Sequence, residues 1–77
     1  MFLNVSVLSP KEIIFEGKAR SIILPGEQGT FEILPFHKRI LSRLLTGELI
    51  VDGTVIPMRR GIVRAEQNTV TVIIEQS

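Results

Sequence analysis

The sequence predicts an all-β domain, a flattened antiparallel β-sandwich or barrel built from seven or eight short strands. Apolar residues alternate with polar ones at a period of two, and Gly, Pro, Asp and Asn recur between these short runs. The chain leaves no length for the crossover helices that parallel strand pairs need, so the pairing should be mostly antiparallel. With 77 residues, it forms one domain, residues 1–77.

The first third of the chain predicts three strands separated by proline and glycine. Residues 3–7 alternate strictly between apolar and polar, as in a strand with one face buried against a core. Pro10 ends this strand because proline has no amide hydrogen for a ladder. The segments that follow are a strand at Ile13–Glu16, a turn at Gly17-Lys18, and a more buried strand at Ala19–Leu24, which Pro25-Gly26 closes.

The middle of the chain contains one element that the sequence does not assign to helix or strand. Thr30–Leu34 alternates and is followed by Pro35, which predicts a short edge strand. Ile40, Leu41, Leu44 and Leu45 have the spacing of one helix face, so a two-turn helix is an alternative to a strand. A helix of about eight residues is marginal in isolation, and Thr46-Gly47 immediately begins another strand pattern.

Two hairpins are predicted at the C-terminal end. Asp52-Gly53 lies between the strand patterns Glu48–Val51 and Thr54–Met58, and this dipeptide favours a two-residue type I′ turn. Ile62–Ala65 and Thr69–Glu75 form the second hairpin around residues 66–68. In its last strand, Val70, Val72 and Ile74 should face the core.

The composition offers little for catalysis. The chain has no cysteine and therefore no thiol nucleophile. A zinc site needs three or four ligands from Cys, His, Asp or Glu, and a single histidine without cysteine argues against one. The phosphate-binding GxxxxGK[ST] and the nucleophile-elbow GxSxG motifs are absent. We therefore expect a noncatalytic protein without a metal or cofactor. No targeting or membrane-spanning pattern is present, which predicts a soluble, cytosolic chain.

His37 has two interpretations. In a loop next to proline, it could titrate near neutral pH or hydrogen-bond to a partner. It could equally have its ring nitrogens satisfied by nearby backbone. A catalytic role is not expected, because no nucleophile or orienting carboxylate accompanies it.

Two basic clusters lie in a chain whose formal net charge is only +1: Lys38, Arg39 and Arg43, and Arg59, Arg60 and Arg64. Either cluster could contact phosphates, so a small β-barrel nucleic-acid-binding module is an alternative function. A solvated rim or one that faces an acidic partner is favoured, because single-strand binders stack bases on exposed aromatic rings. Phe36 is the one aromatic residue well placed for exposure, since Phe15 and Phe31 have core positions.

From Leu24 to Leu49, glycine and proline recur between short apolar segments. The pattern comprises Leu24-Pro25-Gly26, Glu27-Gln28-Gly29, Phe31-Glu32-Ile33-Leu34-Pro35, His37 and, after a Leu-rich stretch, Gly47-Glu48-Leu49. Phe15-Glu16-Gly17 precedes it, and Gly61-Ile62-Val63 with Asn68-Thr69-Val70-Thr71-Val72 follows it. Over essentially all 77 residues, the chain resembles the N-terminal β-sandwich domain of the epsilon subunit of F-type ATP synthases.

The resemblance implies a noncatalytic rotor subunit in the central stalk, which binds the gamma subunit and the membrane-embedded c-ring and couples ion-driven rotation to ATP synthesis or hydrolysis. By position it implies that Glu27, Gln28, Gly29 and Thr30 belong to a loop near the ring. Phe36, His37, Lys38 and Arg39 belong to a neighbouring loop near the ring and gamma. The protein would lie at the cytoplasmic face of the cell membrane, attached to the membrane only through the complex and binding no nucleic acid.

The chain departs from the usual family pattern around this second loop. Glu32 and Phe36 stand where glycines are usual, and Lys38-Arg39 replaces Ala-Pro, so we expect a divergent member with an altered loop path. Typical members continue into a C-terminal pair of helices, whereas this sequence stops at Ser77. If the chain naturally ends there, we expect a member without that helical domain and without its inhibitory function; a shortened sequence would leave both open.

Overall fold

The computed structural model describes residues 1–76, which contain nine strands. They are β1 (Leu3–Leu8), β2 (Ile13–Ala19), β3 (Ile22–Gly26), β4 (Gly29–Ile33), β5 (Ile40–Leu44), β6 (Gly47–Val51), β7 (Thr54–Met58), β8 (Arg60–Glu66) and β9 (Thr69–Glu75). The predicted all-β class is confirmed, with nine strands where the sequence indicated seven or eight.

The helical alternative for residues 40–45 is wrong. Ile40–Leu44 is strand β5, and all five of its residues pair with β8, from Ile40 opposite Ala65 to Leu44 opposite Gly61. A ladder along the whole segment outweighs the modest helix preference of Leu and Arg, because tertiary pairing routinely overrides intrinsic propensity. Among residues 1–76, no helix has the length and apolar character that crossing a bilayer needs.

Neighbouring strands in the sheet follow the order β2-β1-β9-β8-β5-β3-β6-β7. Strand β4 is outside this order and pairs with β3. The predicted antiparallel pairing is confirmed for every neighbour except β1 and β9, which are parallel. A parallel pair needs a long connection, and here the whole domain between the first and last strands provides it. The two ends of the chain therefore lie side by side in the sheet.

Two turn positions differ from the sequence prediction. Gly17 and Lys18 lie inside β2, which pairs with β1, and the chain turns at Arg20-Ser21 instead. Pro25-Gly26 is the last part of β3, and the turn that follows is Glu27-Gln28. Gly17 continues the ladder because the alternation of β1 places it opposite Val5.

Pro25 is tolerated inside β3 because the strand changes its partner there. Along one edge, β3 pairs with β4 over its full length. Along the other, Ile22 and Ile23 pair with β6, whereas Gly26 pairs with Leu44 of β5. Proline lacks the amide hydrogen for a continuous ladder, and this position does not require one. The switch joins the group β2-β1-β9-β8-β5 to the group β4-β3-β6-β7.

Both C-terminal hairpins have two-residue turns with positive φ at both positions. The φ angles are 47° at Asp52 and 85° at Gly53, as the predicted type I′ turn requires. Gln67 and Asn68 have φ angles of 51° and 60°. Glu66, expected in this second turn, is the last residue of β8 instead.

One apolar core lies between the strands. Leu3, Val5 and Val7 are buried as the alternation predicted, and Val70, Val72 and Ile74 are buried on the last strand. Phe15 and Phe31 pack against this core from its margin. Within residues 1–76, every buried side chain is apolar. Close-packed apolar interiors have low compressibility, so we expect the domain to be stiff.

Candidate functional site

The first candidate segment, Glu27 to Thr30, forms the tip of the β3–β4 hairpin. All four residues are exposed, and Gly29 has a φ of 117°, a conformation that favours glycine. Below the tip, Gly26 lies under the ring of Phe31, where a Cβ atom would come within 2.6 Å of a ring carbon. The tip lines an open groove together with Ile40 and Ser42 of β5.

The second candidate segment, Phe36 to Arg39, connects β4 to β5 and is tied to the β8–β9 hairpin. The backbone N–H of Phe36 donates to Oδ1 of Asn68 at 2.6 Å. Arg39 Nη2 donates to Oε1 of Glu66 at 3.2 Å. Phe36 has a φ of 66°, so it occupies the left-handed region that glycine would favour, and its side chain is 74% exposed.

His37 is exposed at the surface. Its Nδ1 lies 3.0 Å from the carbonyl oxygen of Lys38, in agreement with the interpretation in which nearby backbone satisfies the ring. Residues 1–76 contain no group of three or more His, Cys, Asp or Glu side chains that could hold a metal ion. The segment Phe36–Arg39 exposes an aromatic ring, an imidazole and two cations.

The two candidate segments lie at opposite ends of β4. The tip Glu27–Thr30 meets β5, whereas Phe36–Arg39 meets Glu66 and Asn68. These last two residues were not singled out from the sequence. Asn68 stands in a predicted turn, where a side-chain amide often bonds to backbone, and this was the available signal. Its bonding partner, 32 positions away, could not be read from local pattern.

The two basic clusters are partly engaged by carboxylates. Arg39 pairs with Glu66, and Arg60 pairs with Glu75 through Nε and Oε2. The Arg60 guanidinium beside Glu75 lowers the pKa of that carboxyl, chiefly through this hydrogen bond. Both pairs are exposed, where ion pairs are screened by solvent. One cation of each cluster is therefore paired with a carboxylate.

An apolar row crosses the outer face of the sheet. Ile13, Leu8, Ile73 and Ile62 are successive partners on β2, β1, β9 and β8, and Arg43 of β5 is next in the row. Ile13, Ile62 and Ile73 are 61%, 45% and 46% exposed. An open groove of about 470 Å³ beside the row is lined by Leu45, Ile62 and Ile73, among other residues.

This row was missed in the sequence analysis, although the signal was present. A period of two places Ile73 with Thr71 and Glu75 on the outside of β9, and Ile62 is its partner on β8. Single exposed apolar residues are ordinary, but a contiguous set is typical of a contact surface.

Comparisons with known proteins identify a family. The family model described as "ATP synthase, Delta/Epsilon chain, beta-sandwich domain" matches residues 2–77. The ATP synthase epsilon chain of Leptospira borgpetersenii is 36% identical over 77 residues, which is 95% of this chain and 61% of the relative. That of Bordetella avium is 37% identical over 76 residues, which is 92% of this chain and 54% of the relative. The chain thus spans a little over half the length of these relatives.

Solved structures share the fold. A chain in the cryo-EM structure of the central stalk and c-ring of Tetrahymena thermophila mitochondrial ATP synthase superposes with a TM-score of 0.82 at 14% identity, covering 96% of this chain and 63% of that one. A chain in the Euglena gracilis mitochondrial ATP synthase structure, which contains OSCP, F1 and the c-ring, gives 0.86 at 16% identity, covering 95% and 50%. At these identities the likeness concerns the fold.

Proposed function

Because the chain belongs to the family of the ATP synthase delta/epsilon-chain β-sandwich domain, we propose that it is a noncatalytic central-stalk component of a rotary F-type ATP synthase. In this role it binds the gamma subunit and the c-ring and couples ion-driven ring rotation to ATP synthesis or hydrolysis. It is attached to the membrane through the complex, at the cytoplasmic face. The match of the family model to residues 2–77 carries the proposal.

The physical character of the domain suits a mechanical coupler. A close-packed apolar interior deforms little, so a force applied to one face is passed to the other. This function needs no reactive group and no bound cofactor. It does need contact surfaces on more than one side, and the candidate loops and the outer apolar row provide them.

We propose that the contacts include both candidate segments, Glu27, Gln28, Gly29 and Thr30 at one end of β4 and Phe36, His37, Lys38 and Arg39 at the other. All eight residues are exposed. The nucleic-acid alternative is less well supported, because Arg39 and Arg60 are each paired with a carboxylate and the family is one of ATP synthase chains.

The proposal is tested by binding to cognate gamma subunit and c-ring at low salt. The wild-type chain should be retained by this complex, and no binding would contradict the function. The double variant Lys38→Glu with Arg39→Glu should bind about tenfold more weakly or worse, because it reverses two exposed charges at the proposed contact.

The charge-matched control is Lys11→Glu with Lys18→Glu, which changes the net charge equally at exposed positions elsewhere. Its binding should equal that of the wild type. The Arg39–Glu66 pair that the first variant breaks is exposed and worth about 0–1 kcal/mol, so its thermal melting should remain cooperative. Equal binding by both double variants would remove Lys38 and Arg39 from the interface.

A further inference from the structure

Phe36 combines two features that do not serve the stability of the domain. Its backbone has a φ of 66°, which costs a non-glycine residue about 1–3 kcal/mol. Its side chain is 74% exposed and lies outside the set of residues that pack against the core. Strain of this kind persists only where the surrounding structure enforces it, and it is concentrated at functional positions.

Asn68 holds the backbone of Phe36 by a hydrogen bond, in addition to the local turn at Pro35-Phe36, where proline precedes a residue of positive φ as in a type II turn. Its Oδ1 accepts the Phe36 N–H at 2.6 Å, and its backbone oxygen accepts the N–H of Asn4 at 2.8 Å. Asn68 itself has a φ of 60° in the two-residue turn between β8 and β9, and asparagine tolerates this region. One residue thus connects the loop, the β8–β9 turn and the first strand.

The end of the loop is held by the same hairpin. Arg39 pairs with Glu66, two residues before Asn68, so both ends of Phe36–Arg39 are tied to the β8–β9 hairpin. The intervening residues, His37 and Lys38, are exposed. The loop therefore presents an aromatic ring with cations beside it on a backbone that is already ordered.

We propose that Phe36 is an aromatic anchor that enters an apolar recess with an acidic rim on the protein partner, and that Asn68 is its positioning residue. This rests on the proposed function and specifies the contact. Aromatic side chains that fill a pocket at the centre of an interface contribute much of its binding energy. Holding the ring in place before binding reduces the ordering cost of association.

The first test is Phe36→Gly. Glycine adopts a φ of 66° without strain, so this variant should melt at the same temperature as the wild type or higher. Its affinity for the cognate gamma and c-ring complex should fall about tenfold or more, because the anchor is gone. Phe2→Gly is the matched control: Phe36 was the one aromatic residue expected to be exposed, but Phe2 is exposed as well, at 48%. This control should bind as the wild type does.

The second test concerns Asn68. Asn68→Gly keeps the positive φ but removes the acceptor, whereas Asn68→Asp keeps an acceptor oxygen. Hydrogen exchange should become faster at the Phe36 amide in Asn68→Gly and stay slow in Asn68→Asp, and affinity should follow the same order. In the Phe36→Gly background, Asn68→Gly should cause no further loss of affinity, because Asn68 acts through Phe36.

The outcomes separate the proposals. If the wild type does not bind the complex, the proposed function fails. If it binds and Phe36→Gly binds equally well, the anchor is refuted while the function stands. Loss in Phe36→Gly with wild-type binding and exchange in Asn68→Gly refutes the role of Asn68. Binding to vesicles of anionic lipid that Phe36→Gly abolishes, with no change in binding to the complex, would mean that the ring contacts lipid instead of protein.

Discussion

Single polar side chains fasten the turns of this domain. The Asp52 carboxylate, in the β6–β7 turn, accepts the backbone N–H of Arg20 at 2.9 and 3.0 Å and that of Ser21 at 3.1 Å. It thereby holds the β2–β3 connection against a hairpin more than thirty residues away. Asn68 does the same for the loop that carries Phe36. Both residues occupy positive φ, so backbone shape and side-chain bonding select the same residue types.

We expect Asp52→Gly to lower the free energy of unfolding by about 1 kcal/mol. Glycine accepts the turn conformation, so the loss would come from the acceptor that Arg20 and Ser21 no longer have. Asp52→Asn keeps one oxygen and should lie between this variant and the wild type. Urea unfolding of the three proteins measures the difference. Equal midpoints for Asp52→Gly and the wild type would show that the carboxylate contributes nothing.

At the scale of the element, β8 matters because it lies between β5 and β9. Gly61 is paired with Leu44 on one side and Ile74 on the other. A Cβ atom at this position would clash with the backbone oxygen of Ile73 and come within 2.9 Å of Cγ2 of Ile74. The glycine therefore permits close approach of two strands, a role that differs from the turn-forming role of Gly53.

We expect Gly61→Ala to destabilise the domain by about 1–3 kcal/mol, because backbone must shift to admit the methyl group. Gly17→Ala is the control: it also lies within a strand, but its Cβ would meet only ordinary contacts at 3.9 and 4.0 Å from the Phe15 ring. Its melting temperature should change little. Thermal denaturation of both variants provides the comparison, and similar melting temperatures would disprove the close-approach argument.

At the scale of the whole molecule, stability depends on one small core. A chain of 77 residues buries only about 60% of the surface exposed by the unfolded chain, so its reserve of stability is limited. Every buried side chain within residues 1–76 is apolar, and the parallel pair β1–β9 joins the first and last strands of the chain within the sheet. The domain should consequently unfold as one cooperative unit.

We expect Leu24→Ala to cost about 2–5 kcal/mol, because Leu24 is fully buried and its truncation leaves a cavity. Leu41→Ala makes the same chemical change at a side chain that is 76% exposed and should be almost neutral. Chemical denaturation monitored by circular dichroism tests both. A small effect of Leu24→Ala would mean that the site collapses around the missing atoms.

The local pattern of residues was enough for the strand class, the inward faces of β1 and β9, and the type I′ turn at Asp52-Gly53. These features depend on residues that are close in sequence, where alternation and turn preference act directly. The same pattern could not choose between helix and strand for Ile40–Leu44, because its spacing fits a helix face.

Pairing between residues distant in sequence decided the features that the local pattern did not predict. The partner β8 made residues 40–44 a strand, the ladder with β1 carried Gly17 through β2, and the change of partner at Pro25 moved the turn to Glu27-Gln28. The contacts of Phe36 with Asn68 and of Arg39 with Glu66 span 32 and 27 positions. Such contacts depend on how whole strands align in space, which a local sequence window does not record.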